Sequence, residues 1–483
     1  MCLYLPPRGF MFFLRIFSQA LMLTTVFLST SIYSQSVEPL SPDERPTFHL
    51  SKNTLELLQE TEEKQSTVIQ EQNMTSQELL AQPVLLTQAL NSAITLQDES
   101  ALILLLPLYA QLPEKDEMLY KYGQAMLFFL QENPKEAVQL YEEILTSYPN
   151  SSPLRFQLAL SLLADKRLAA ANEQFTQLNN EELPPEIRQT IENLQAGIAK
   201  QLEWQFNFHA HGLMERNING SPAKQQVGAW KFAPPEKAYG LAYGLSADKL
   251  WALDGHWYLA VSASANGKTF WQKHEYDDLL LRSSIGLMWK NSKNEWGILP
   301  FHERRFYGSD SYSYGNGLRL QGNWQINEYW KWFANYEIAD NRFFTRKHLD
   351  GISQRLGNTL FYRPDIKQYF TFGIDLGKEA AKDRSNAYDY YGLRLGWGKE
   401  WQQGISSMIQ IHALKKDYAE KDFIQIQRQD ERYGLNLSLW KRDWHWQNFT
   451  PRLTYQWKRQ RSNHFAYDQA AEQNIFIEIS KDF

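Results

Sequence analysis

Between about residue 85 and residue 200 the apolar positions recur with helical spacing, as in Leu102, Leu105, Leu106 and Tyr109. Beyond residue 200 the period changes to two. Trp204, Phe206, Phe208 and Ala210 form an apolar face against Gln205, Asn207, His209 and His211. The same alternation sets Leu318, Leu320, Trp324 and Ile326 against Arg319, Gln321, Asn323 and Gln325, and Tyr391, Leu393, Leu395 and Trp397 against Gly392, Arg394 and Gly396. Fourteen such segments follow one another, from one centred near residue 207 to one near residue 477. An even number of antiparallel strands closes with both ends on one side. The pattern predicts an α plus membrane β chain, with helical repeats before an antiparallel barrel of about fourteen strands.

The helical part repeats itself. Ala125 and Ala159 are 34 residues apart, as are Ala137 and Ala171, and Tyr141 and Phe175. That is the tetratricopeptide (TPR) period. Small residues at those places let paired helices cross closely, and the two rings fill the gap to the next pair. Pro149 closes the first repeat, because proline lacks the amide a continuing helix needs; its counterpart shifts to Pro184 and Pro185. A capping helix is expected over 186–200. Stacked pairs of this kind present a groove for a peptide or protein partner.

Charge follows the same division. The 483 residues carry a net −5, but residues 37–200 hold −13 and residues 201–483 hold +6. Neither balance favours nucleic acid. Arg8 and Arg15 precede an apolar run from Ile16 to Ile32, with Ser29, Ser31 and Ser34 as small residues for cleavage. Residues 1–36 are therefore expected to be a signal peptide. Residues 37–84, rich in Gln, Glu, Ser and Thr, are expected to be a flexible leader. The helical domain then covers 85–200 and the barrel 201–483. The only cysteine, Cys2, precedes the signal run, so a mature chain has no disulfide, thiol nucleophile or cysteine-held zinc.

Alternation alone also suits a soluble sandwich. Here the apolar sets carry Trp or Tyr near their ends, as interfacial girdles do, and arginines sit in mid-strand on the polar face, where a hydrated lumen tolerates them. Arg282, Arg319, Arg394 and Arg452 are the candidate lumen residues. The last strand places Ile475, Ile477, Ile479 and the terminal Phe483 on one face, the pattern read by the machinery that inserts outer-membrane barrels. These features assign the barrel to the outer membrane, with the helical domain in the periplasm.

Little points to catalysis. His209 and His211 share a strand face, but no third spaced ligand joins them. Asp417, Glu420 and Asp422 read as a solvated outer loop rather than a calcium site. No catalytic residue, cofactor site or metal site is assigned, and no enzyme is expected.

The order of signal peptide, short TPR domain and barrel resembles the surface lipoprotein assembly modulator (Slam) family, translocons also called type XI secretion components. Local stretches carry the likeness further. Glu215-Arg216-Asn217-Ile218-Asn219 leading to Pro222 looks like that family's Asn-rich segment, and Glu303-Arg304-Arg305-Phe306-Tyr307-Gly308 with Tyr312-Ser313-Tyr314-Gly315 looks like its mid-barrel signature. Ser462-Asn463 and Phe483 also fit, while Ser309 stands where a second glycine is expected. The resemblance implies delivery of specific client proteins across the outer membrane. Such clients are surface lipoproteins or soluble haem- or iron-capture proteins with a small C-terminal barrel. The barrel-assembly machinery, periplasmic chaperones and outer-membrane lipid would be further partners. An alternative is an exopolysaccharide export porin, since TPR domains precede barrels there too.

Overall fold

A computed structural model of the chain describes residues 75–444 and 450–482, with only the backbone of 480–482. The signal segment, most of the leader and Phe483 lie outside the described residues.

Among the described residues eight helices come first: α1 Ser76–Leu80, α2 Pro83–Leu96, α3 Glu99–Tyr109, α4 Glu117–Leu130, α5 Pro134–Ser147, α6 Ser152–Ala164, α7 Leu168–Asn179 and α8 Pro185–Leu202. Their starts are written in the sequence. Thr75 and Glu78 form a capping box on α1. Asp98 accepts the Ala101 amide at 3.0 Å, and Asp116 accepts those of Met118 and Leu119 at 2.9 and 3.1 Å. Pro83 and Pro134 occupy the first turn of their helices, where the missing amide costs nothing.

The 34-residue repeat reappears as packing. Ala125, Ala137, Tyr141, Ala159, Ala171 and Phe175 are all fully buried. Tyr122 meets Tyr141 edge to face at 5.7 Å between centroids, and 34 residues on Phe156 meets Phe175 in the same way at 6.2 Å. Each ring pair crosses from the first helix of a repeat to the second.

The second unit is a closed antiparallel barrel of fourteen strands. In chain order they are β1 Gln205–Glu215, β2 Ala238–Ala252, β3 Trp257–Phe270, β4 Asp278–Lys290, β5 Asn294–Tyr307, β6 Asp310–Gln325 and β7 Trp330–Phe343. Then come β8 Gly351–Asp365, β9 Gln368–Glu379, β10 Tyr388–Glu400, β11 Ile405–Lys421, β12 Gln427–Lys441, β13 Thr450–Ser462 and β14 Glu472–Asp482. Each strand pairs with its neighbours in sequence, and β1 closes the ring against β14.

The outer wall is apolar: Ile285, Leu393, Leu395, Leu453, Ile475 and Ile477 are exposed. Presenting such a surface to water is unfavourable, whereas acyl chains suit it. Most connections at the end shared by both termini are short, as at 253–256, 291–293 and 366–367, and the opposite end carries the longest, 216–237 and 463–471. Short turns mark the periplasmic side and long loops the outside of an outer-membrane barrel. Tryptophan gathers at the short-turn rim in registered pairs, Trp257 with Trp289, Trp289 with Trp296, and Trp324 with Trp332. The Trp324 and Trp332 rings stack at 4.7 Å, and a Cβ on Gly322 would stand 2.0 Å from the Trp324 ring. A side chain at 322 would have to displace that ring from its stack. This is an outer-membrane barrel.

The loop rim has its own device. Asp277 accepts the Phe270 amide at 2.7 Å, and Asp350 accepts the Phe343 amide at 2.8 Å, each seven residues back across a short 3₁₀ turn. The carboxylate ties the end of the ascending strand to the start of the descending one.

Candidate functional site

Parity directs alternate side chains into the lumen, and the register decides which of them meet. On seven consecutive strands, β4 to β10, the inward residues alternate in sign. Arg282 of β4 faces Glu303 of β5, with guanidinium contacts of 2.5 and 3.1 Å, and reaches Glu337 of β7 at 3.2 Å. Arg319 of β6 donates to Glu337 at 2.5 Å. Arg355 of β8, the register partner of Glu337, donates to Glu379 of β9 at 3.0 and 3.2 Å. Arg394 of β10 grips Asp375 of β9 through both carboxylate oxygens, at 2.5 and 2.8 Å, and extends to Thr359 at 3.3 Å.

Arg282 crosses β6 because that strand is thin at the crossing point. Gly317 is the register partner of Phe301, and a Cβ on it would stand 2.4 Å from the Phe301 ring. The Arg282 guanidinium lies 4.2 Å over that same ring. Charge-assisted, often bidentate contacts of this kind are the strong members of the hydrogen-bond family. The belt balances four arginines against four carboxylates, so this wall is polar without being cationic.

The remaining wall is milder. Asn436, Ser438, Thr454, Gln456 and Asn474 are buried along β12 to β14, and Ser438 and Thr454 share a 2.9 Å hydrogen bond. Arg452 belongs to this side. It is buried, with its guanidinium 4.6 Å over the ring of its register partner Trp440.

Thus the structure brings Arg282 and Arg319 together on Glu337, sets Arg394 further along the same belt and Arg452 on another part of the wall. The arginine pattern alone did not single out the carboxylates, although Glu303, Glu337, Asp375 and Glu379 share its parity and could have been found that way. Among the described residues the other chemical candidates do not gather into a metal-holding group. Asp417 pairs with Lys415 and Glu420 with Arg384, while Asp422 accepts the amides of Ile424 and Ile426 and contacts His464. The His211 ring stacks on Phe476 at 4.5 Å.

The quoted motifs build the loop rim. Asn217 holds Ser221 by both its amide and its carbonyl, each at 2.7 Å, and Asn219 holds Pro234 and Glu236. Asn463 does the same for Gln427 and Gln429. In the mid-barrel signature Glu303 and Arg305 pair with Arg282 and Asp278, while the intervening Arg304 lies over Phe306 and Phe344. Gly308 and Ser309 turn the β5–β6 hairpin with φ of 58° and 70°.

Both units match known family models. Residues 204–483 match the model described as surface lipoprotein assembly modifier, and residues 72–175 match that of its N-terminal TPR repeats. The chain is 30% identical to surface lipoprotein assembly modifier 1 of Neisseria meningitidis, over 96% of each protein. It is 32% identical to the Haemophilus influenzae protein of that name, over 85% of this chain and 87% of the relative. The hemophilin secretion modulator of Acinetobacter baumannii is 22% identical over 76% of this chain and 79% of its own. With the repeat helices, the closed barrel and both models matched in the same order, the chain belongs to the surface lipoprotein assembly modifier family.

Proposed function

We propose that this chain delivers specific client proteins, surface lipoproteins or soluble haem- or iron-capture proteins, across the outer membrane. The observation that carries the reading is a polar-lined closed barrel joined to TPR repeats, in a chain whose relatives are named for lipoprotein assembly and hemophilin secretion. The helical domain, on the periplasmic side, receives the client, and the barrel provides its route or template. Arg282, Arg319, Arg394 and Arg452 line that route as polar wall. No reaction is catalysed; the barrel-assembly machinery inserts the chain, chaperones bring the client, and client folding outside supplies the drive. The relatives' names speak against the polysaccharide-export alternative.

The test deletes the gene and measures how much palmitate-labelled lipoprotein, and how much secreted haem-binding protein, is reached by a membrane-impermeant biotin reagent. Display or secretion of at least one client falls tenfold or more and returns with the chain. Unchanged display and secretion would refute the reading.

A further inference from the structure

The pairing that closes the barrel is shorter than the strands that make it. β1 and β14 are in register over five pairs, from Asn207 with Asp482 to His211 with Glu478. Continued in that register, Gly212, Leu213, Met214 and Glu215 would face Ile477, Phe476, Ile475 and Asn474, and among the described residues those pairs are not formed. Both segments are nevertheless strands, because each is paired on its other edge: Gly212–Glu215 with Leu241 to Ala238 of β2, and Asn474–Ile477 with Gln456 to Leu453 of β13. Over about 13 Å, at ~3.3 Å per residue, the two strands are therefore neighbours without registered pairs, with the His211 ring stacked on Phe476 across the seam. This stretch occupies the loop half of the wall, at the depth of the outer leaflet.

Open sheet edges are not tolerated against lipid, where each unsatisfied group costs several kcal/mol. What spans the gap is side chain and loop rather than ladder. Lys458 of β13 lies 2.8 Å from Glu215 and 3.3 Å from Glu472. Above it the 216–237 loop crosses to the far side: the Ala223 amide donates to the Asp468 carbonyl at 2.7 Å, and Phe232 meets Phe465 at 6.0 Å between centroids. Ion pairs and loop contacts release far more readily than a registered ladder. On the lipid face a Cβ at Gly212 would meet nothing within 4 Å, and Ile475 and Ile477 are exposed.

The geometry points to a lateral gate: the β1–β14 seam opens at its outer half, and an extended segment of the client in transit adds as a strand to the free edge of β1. Only an extended backbone presents the alternating donors and acceptors that this edge lacks. A chain passing here leaves the polar lumen directly into the outer leaflet, where an anchored lipoprotein needs its acyl chains. This rests on the client-delivery reading above and names the contact that performs it.

Cys2 is the only native cysteine, so paired cysteines report cleanly. In the full chain, expressed in the deletion strain, Gly212→Cys with Ile477→Cys is closed by oxidation, or by a short bis-maleimide bridge, and the closure is confirmed by mass. Display of palmitate-labelled lipoproteins then falls at least tenfold and recovers on reduction of the disulfide, while the registered pair Ile374→Cys with Leu393→Cys, far from the seam, leaves display unchanged. A photoreactive phenylalanine in place of Met214 forms an adduct carrying the palmitate label. Full display with the seam closed, or an adduct with only a second copy of this chain or with lipid alone, overturns the gate. Should deletion of the whole chain leave export intact, the function itself fails, which is a separate result.

Discussion

Glu337 receives Arg319 at 2.5 Å and Arg282 at 3.2 Å, so one buried carboxylate holds two cations that arrive from different strands. Its side chain is 2% exposed and those of the arginines about 10%. Removing the shared anion leaves two guanidinium groups facing each other with one remaining partner, Glu303. Glu337→Ala is expected to destabilise the barrel by about 3–5 kcal/mol, the usual penalty for a broken buried pair. The temperature at which the barrel loses its compact migration in a semi-native gel checks this. Asp340→Ala removes the nearer of two carboxylate partners of Arg342, from a pair that is nearly half exposed on both sides, so it should shift that temperature much less.

That contrast shows what the sequence could and could not carry. Period two sorts each strand's residues onto two faces, so the common face of Arg282, Arg319, Arg394 and Arg452 and a strand number of about fourteen are legible in the alternation. Which charges touch depends on register, and register is set by turn lengths and by the bulge between Arg305 and Phe306. Glu303, Glu337, Asp375 and Glu379 are spread over 77 positions of sequence and gather only once β5, β7 and β9 are in register. The sequence therefore reads the four arginines only as candidate lumen residues, whereas the register pairs Arg282, Arg319 and Arg394 with carboxylates of the wall. The TPR core was more legible because a 34-residue repeat specifies contacts directly: the same spacing that relates Tyr141 to Phe175 relates their partners Tyr122 and Phe156.

The repeat also exposes a mismatch. Tyr141 and Phe175 occupy equivalent places and both are fully buried, but the Tyr141 hydroxyl has no hydrogen-bond partner among the described residues. Burial pushes that hydroxyl well above its ordinary pKa, and its neighbour Tyr122 up to about 12, so both stay neutral. A buried orphan hydroxyl costs about 1–3 kcal/mol. Tyr141→Phe, which copies the second repeat, is expected to raise the thermal midpoint of the helical circular-dichroism signal by the equivalent of about 1 kcal/mol. Tyr141→Ala should lower it by about 3–5 kcal/mol by opening a cavity. A fall with phenylalanine would mean that the hydroxyl has an unseen partner.

Ala125 and Ala159 test the client-receiving role separately from the barrel. Each is fully buried where two helices cross, so a glutamate there meets both a steric clash and the loss of hydration of its charge. Ala125→Glu with Ala159→Glu should unfold the repeats and reduce client display at least tenfold, while the barrel still inserts and migrates as a compact species. Normal export from such a variant would show that the helices receive nothing.

Ser309 holds φ at 70° beside Gly308 at 58° in the β5–β6 turn. A left-handed backbone costs a residue with a Cβ about 1–2 kcal/mol, a cost glycine escapes. Ser309→Gly is expected to recover about 1 kcal/mol, since the greater freedom of glycine in the unfolded chain offsets part of the relief. Ser309→Val should lose more than that, because branching at Cβ makes the left-handed region still less accessible. Unfolding midpoints of the intact barrel in urea, compared at equal slope, distinguish the two signs.

Asp350 gives the loop rim a pH dependence whose direction is fixed. The Phe343 amide and the Lys382 ammonium at 3.0 Å both favour its charged form and hold the carboxyl below the ordinary aspartate value. A carboxyl depressed on folding contributes stability that is complete above the unfolded value, near pH 3.9, and is lost as pH falls through the lower folded one. The 344–350 turn should therefore stay pinned at neutral pH and loosen only below about pH 4. Hydrogen exchange at the Phe343 amide reads this directly: with its intrinsic pH dependence removed, protection is flat above pH 5 and declines on acidification. Asp350→Asn keeps the shape but not the charge, so it should exchange faster at pH 7 and lose the acid step. If both forms show the same step, another carboxylate governs the rim.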